Sequence, residues 1–204
     1  MKNTGKILGI IALAALIGFT MTACGGGGGG GGAKKSGLAT DGFFGAIPAI
    51  YADYTIADNA VRERHKIAKE KAEKKQNVKA YQKAEDQFSK DIDELSTKLE
   101  ASLSAEWAKL AGKDVPYTTS DNFREFKVSS LKVKENGQLG MVTSDVRKNM
   151  IGVTSFKFKA VAKDGTVIID YMGYGSEVLN VASAIGNHPE KWLDFEKIEF
   201  SNAQ

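Results

Sequence analysis

Residues 73–80 read EKKQNVKA, and the fold depends on what the chain does there. Before this stretch, Ile50, Tyr54, Ala57, Val61, Ala68 and Ala72 recur at intervals of three and four. After it, Ala84, Phe88, Ile92, Leu95, Leu99, Leu103, Trp107 and Leu110 do the same. At about 100° per residue the first stripe clusters within about 60° of Ala72, while Ala84 to Leu99 fall at about 120–200° on the same wheel. A straight rod would then need a different partner on each side. A turn near Gln76-Asn77 lets the two stripes face each other as an antiparallel hairpin, although no glycine or proline marks it. Charge favours the hairpin. Residues 61–79 carry eight basic and three acidic side chains (+5), and residues 80–111 carry four basic and seven acidic (−3). Opposite signs on neighbouring helices suit one another, at about 0–1 kcal/mol per exposed pair. The basic stretch VRERHKIAKEKAEKK (61–75) also has the form of an amphipathic segment on anionic lipid, but its apolar face is mostly alanine and buries little.

From residue 113 onward the texture changes, with Gly112 and Pro116 at the border. Asn136-Gly137 separates FKVSSLKVKE from LGMVTSDV, and Asp164-Gly165 separates TSFKFKAVAK from TVIIDYMGY; both are hairpin signals. Phe156, Phe158 and Ala160 alternate with lysines, so one face of that strand is wet. Phe126 and Val128 share one parity and Leu131 and Val133 the other, which predicts a bulge at Ser129-Ser130. SEVLNVASAIG reads as a short helix or a strand, and WLDFEKIEF as a closing strand. The reading is an α+β protein: a helical hairpin over 48–112 followed by a small antiparallel β-sandwich over 113–204.

The N-terminal region supplies an address. Lys2 and Lys6 precede the ten-residue apolar run Ile7 to Leu16, and small residues lead to Cys24, the only cysteine. This is the layout of a secretory signal over 1–23, too short for a comfortable membrane span. Met21-Thr22-Ala23-Cys24 resembles the lipobox of bacterial lipoproteins, with Met21 where leucine is usual. The resemblance implies cleavage before Cys24 and acylation there by diacylglycerol and a further acyl chain such as palmitate. Two or three chains anchor stably, at about 0.8 kcal/mol per buried methylene. Gly25 after the cysteine resembles the outer-membrane sorting class of Gram-negative lipoproteins. Residues 24–47 then read as the lipidated cysteine and a glycine-rich flexible tether. Gly25 to Gly32 and the ten residues after them would span about 20–25 Å as a coil. The texture of the whole, DGFFGAIPAIYADY (41–54) then charged helix then strands, is similar to lipoproteins of Bacteroidales. That likeness implies no activity.

Little in the chain points to chemistry. Without Lys2 and Lys6, 26 basic side chains face 25 acidic ones, which argues against a nucleic-acid footprint. His65, in a charged helical run, and His188, before a proline, lack the matched spacing of zinc ligands and read as solvated, so no metal or cofactor is expected. Asp91, Asp93 and Glu94 read as the wet side of their helix. Asp164, Asp170 and Glu177 lie close in sequence, and a carboxylate pair for hydrolysis is the one enzymatic alternative. Tyr171, Tyr174 and Trp192 read as core, with an aromatic binding face as the alternative. The functional expectation is a non-enzymatic outer-membrane lipoprotein, lipid-attached at Cys24, binding a protein or glycan partner; the alternative is an envelope hydrolase.

Overall fold

The computed structural model describes residues 35–144, 146, 155–174 and 178–203. Two long helices, α1 (Ile47–Lys74) and α2 (Val78–Leu110), precede the strands β1 (Tyr117–Thr119), β2 (Lys127–Val133), β3 (Gln138–Ser144), β4 (Ser155–Ala162), β5 (Val167–Tyr174), β6 (Val178–Asn180) and β7 (Phe195–Asn202). A short helix α3 (Ala182–Asn187) and a 3-10 turn (Pro189–Trp192) lie between β6 and β7. The α+β reading holds. Two compact units divide within the helices, at 52/53 and 95/96, rather than at the compositional border.

The first unit contains residues 53–95, a helical hairpin. Its turn works without glycine. Gln76 takes the left-handed conformation (φ 49°). The Gln76 and Asn77 amides donate to the carbonyls of Glu73 (2.8 Å) and Ala72 (3.0 Å), the two bonds that close a Schellman motif. The Asn77 side chain then accepts from the Ala80 amide at 3.0 Å, capping α2. Ala57, Val61 and Leu95 form the buried centre, with Tyr54, Phe88 and Ile92 packed around them. The sequence stripe strays at one point: Ala68 is exposed, and His65 and Lys69 take the inward rows beside buried Ala72.

The second unit contains residues 37–52 and 96–203. Its four-stranded sheet has the order β1-β7-β4-β5 and its three-stranded sheet the order β2-β3-β6. The inner residues of both belong to one core: Val128, Leu131, Leu139, Met141 and Leu179 from the smaller sheet, and Phe156, Phe158, Ile198 and Phe200 from the larger. The core also takes in Phe44, Ile47 and Trp107. Phe44 and Ile47 fall within the 24–47 stretch read as tether, so the coil reading does not extend to them. Trp192 is fully buried, its ring 5.4 Å from Phe44 and 5.8 Å from Phe195. Gly112 ends α2 with φ 81°, and residues 112–115 run along β2 through Gly112 N to Val133 O (2.8 Å) and Val115 N to Leu131 O (2.8 Å).

The pairing is antiparallel except that β1 runs parallel to β7, with Tyr117 opposite Ile198. The expected bulge is present: Val128 pairs with Thr143 and Ser130 with Val142, leaving Ser129 as the extra residue. SEVLNVASAIG supplies both a strand and a helix, since β6 ends at Asn180 and α3 begins at Ala182. In both Gly-containing hairpins only the glycine has positive φ, 76° at Gly137 and 85° at Gly165. Each is a three-residue loop with a left-handed last position, not a two-residue turn.

Two experiments check this architecture. Gln76→Gly relieves a left-handed non-glycine residue and raises stability by about 1 kcal/mol, whereas Asn77→Ala removes a cap and lowers it by about 0.5–2 kcal/mol. Urea midpoints that leave both variants at the wild-type value refute this turn. A Cβ on Gly137 would lie 2.6 Å from the Trp107 ring, whereas one on Gly165 meets nothing within 4 Å. Both alanine variants meet the left-handed strain of about 1–2 kcal/mol, and Gly137→Ala adds about 1–3 kcal/mol from overpacking. Equal thermal shifts for the two would remove Trp107 from beneath this turn.

Candidate functional site

The densest group of titratable side chains in the hairpin lies across its helices, between the buried centre and the turn. His65 stacks on Phe88, centroids 4.2 Å apart and planes 13° apart. Its Nε2 is 3.2 Å from Glu85 Oε2. That nitrogen is buried and the approach lies off a hydrogen-bonding direction, so the contact is electrostatic and a charge pair only when the ring is protonated. Glu85 Oε1 takes Lys69 Nζ at 2.9 Å, and the ammonium lies 4.9 Å from the Tyr81 ring centroid. One turn away, Arg64 donates to Asp91 at 3.4 Å, and Gln87 donates to the same carboxylate at 2.7 Å. His65 is therefore not the solvated residue expected from its charged surroundings, and Asp91 is not simply on the wet side. Both sit on rows that face the other helix, where an apolar template registers nothing.

The electrostatics are those of a closed set of pairs. Lys69, then burial working against it, sets the Glu85 carboxyl below its ordinary value, with His65 adding to the lowering. The hydrogen bond to Tyr81, followed by that to Glu85, holds the Lys69 ammonium above its ordinary range. The arrangement joins two helices by charge and stacking.

The other residues singled out from sequence are dispersed. Cys24, the expected lipid attachment, and Glu177 lie outside the described residues. Asp164 sits in the β4–β5 turn, where its carboxylate accepts from the Thr166 amide at 2.8 Å and is held below its ordinary range by Thr166. Asp170 is on β5, 3.7 Å from Lys159 Nζ. His188 is exposed, as expected, with Nδ1 3.9 Å from Glu190. Trp192 is core, but Tyr171 and Tyr174 are each 64% exposed, which corrects their reading as core. Tyr171 pairs with Phe158 and Tyr174 with Ser155, which puts the two tyrosines on opposite faces of the sheet and leaves no shared aromatic platform. Ala111, Gly112 and residues 133–136 line an open groove whose one carboxylate is Glu135. Among the described residues no three His, Cys, Asp or Glu side chains gather as a metal site, and no helix is long and apolar enough to cross a membrane. No family model, curated protein or solved structure matches the chain.

Glu85 gives the pair a pH signature. A carboxylate held below its ordinary value of 4.5 stabilises fully above that pH, and its contribution is lost as pH falls through the lowered value. Lys69 adds the opposite limit, its share fading only as pH rises above 10.5. Glu85→Gln is therefore less stable than wild type near neutrality, and the difference narrows as pH falls below 4.5. Urea titrations at about pH 7 and about pH 3 measure it. A gap of equal size at both values would show that Glu85 is not paired through its charge.

Proposed function

We propose that the chain is a lipid-anchored lipoprotein of the outer membrane, attached through acylated Cys24, whose folded body binds a protein or glycan partner and does not perform catalysis. The observation that carries the reading is Met21-Thr22-Ala23-Cys24 at the end of a charged and then apolar leader, with the chain's one thiol at the cleavage point. The glycine run that follows suits a spacer between lipid and body. The charged groups described above are engaged with one another in ways that hold structure, which supports binding over chemistry. Strand β5 lies at the edge of its sheet with Val167, Tyr171 and Tyr174 exposed, the tyrosines on opposite faces, and its free edge can take a partner's backbone.

The anchor is tested by growth with a clickable fatty-acid analogue. Label enters the wild-type chain and is absent from Cys24→Ser, which also keeps its leader. Equal labelling of the two would overturn the assignment.

A further inference from the structure

We propose that the turn end of the helical hairpin is a docking surface for the anionic headgroup plane of a phospholipid bilayer. Residues 71–83 contain five lysines (Lys71, Lys74, Lys75, Lys79 and Lys83) against the single acid Glu73, a net of +4. The whole chain has a formal charge of +3, so everything outside these thirteen residues sums to −1. All five lysines are exposed. Among the described residues none of them makes an ion pair, whereas Lys69, just before them on α1, is engaged by Glu85. The hairpin thus pairs Arg62, Arg64 and Lys69 and leaves a block of like charge at its turn end. Much of that block lies within about a Debye length of 8–10 Å, so the charges repel one another when no counter-charge is present.

The chemistry of the block selects among anionic partners. Every cation is a lysine, a point charge without the planar fork that reads individual phosphates or bases. Val78 is 81% exposed at the start of α2, between Lys75 and Lys79, an apolar knob ringed by ammonium groups. Tyr81, the aromatic nearest the turn, is half-buried and covered by Lys69, so it offers no face for base stacking. The end of a helical hairpin is convex. A convex, diffuse, cationic surface with one apolar point fits a flat anionic layer, where ammonium groups sit among headgroups and the knob reaches the acyl boundary. This contact uses no part of the Cys24 anchor and stands or falls separately from it.

The test uses the full chain carrying Cys24→Ser, so that no thiol or thioether lipid remains, and Ala80→Cys labelled with a polarity-sensitive fluorophore. Ala80 is exposed in the first turn of α2, and the label reports the turn itself wherever else the chain touches lipid. Vesicles of phosphatidylcholine with about 30% phosphatidylglycerol shift the emission to the blue, neutral phosphatidylcholine vesicles do not, and about 0.5 M salt reverses the shift. Each lysine neutralised raises the half-saturating lipid concentration about fivefold, so Lys74→Gln/Lys75→Gln/Lys79→Gln raises it about a hundredfold. Lys90→Gln, outside the block, leaves it unchanged. Circular dichroism confirms that the variants keep their helices, and the salt arm needs no variant. The proposal is overturned by no shift on anionic vesicles, by an equal shift on neutral ones, or by a triple variant that titrates like its parent. A shift produced by heparin or an oligonucleotide but not by vesicles overturns it in favour of a soluble polyanion.

Discussion

Glu85 is the point where the two long helices are tied together once their apolar surfaces thin out. Below it, Ala57, Val61 and Leu95 meet as an ordinary small core. Above it lie buried Ala72, half-buried Tyr81 and the turn. The carboxylate fills this interval by facing His65 and Lys69 at once, from the opposite helix, while Phe88 carries the imidazole on its face. The arrangement also sets the register. Sliding one helix by a turn, about 5.4 Å, would keep only one of the two contacts, with either Val61 or Glu73 in the place of the other. Alanine-lined helices pack closely but discriminate poorly between registers, and the polar seam supplies the discrimination.

Charge along this hairpin is graded rather than mixed. Residues 84–95 carry five acids and one lysine, a net of −4, while the turn carries +4. Each exposed pair contributes little to stability. The gradient therefore says more about the surroundings the hairpin meets than about what holds it folded, since a uniform mixture would serve folding equally well.

The parts of this fold legible in the sequence were those in which one residue type has one physical use. The reversal of stripe across residues 73–80, the two Gly-containing turns and the parity change at Ser129-Ser130 each reflect a geometric rule with few exceptions. Legibility failed where context overrides type. His65 and Lys69 are inward because a partner carboxylate waits on the other helix, and nothing in their own neighbourhood announces it. Tyr171 shares the inner face with Phe158, yet at the edge strand it stays uncovered. Leu99 belongs to the same sequence stripe as Leu95, yet it is only half-buried. Strand β1 is three residues without periodicity, and it is a strand only because β7, some eighty residues later, accepts it. The candidate residues divide accordingly: the proposed lipid attachment rests on a local motif alone, while the polar seam needed the fold.

Strand β7 is the last of the described strands, yet it lies inside its sheet, between β1 and β4. The sheet has no stable incomplete form that waits for it, because without β7 the strand β1 has no neighbour and β4 keeps only β5. During synthesis the second unit therefore cannot close until residues 195–202 have left the ribosome, even though the hairpins around Gly137 and Gly165 can form earlier from local contacts. The second unit stays open until residues 195–202 are available to it. That is a useful property for any polypeptide that must be threaded through a narrow passage before it folds, and it makes the loss of residues 195–202 costly to the whole sheet.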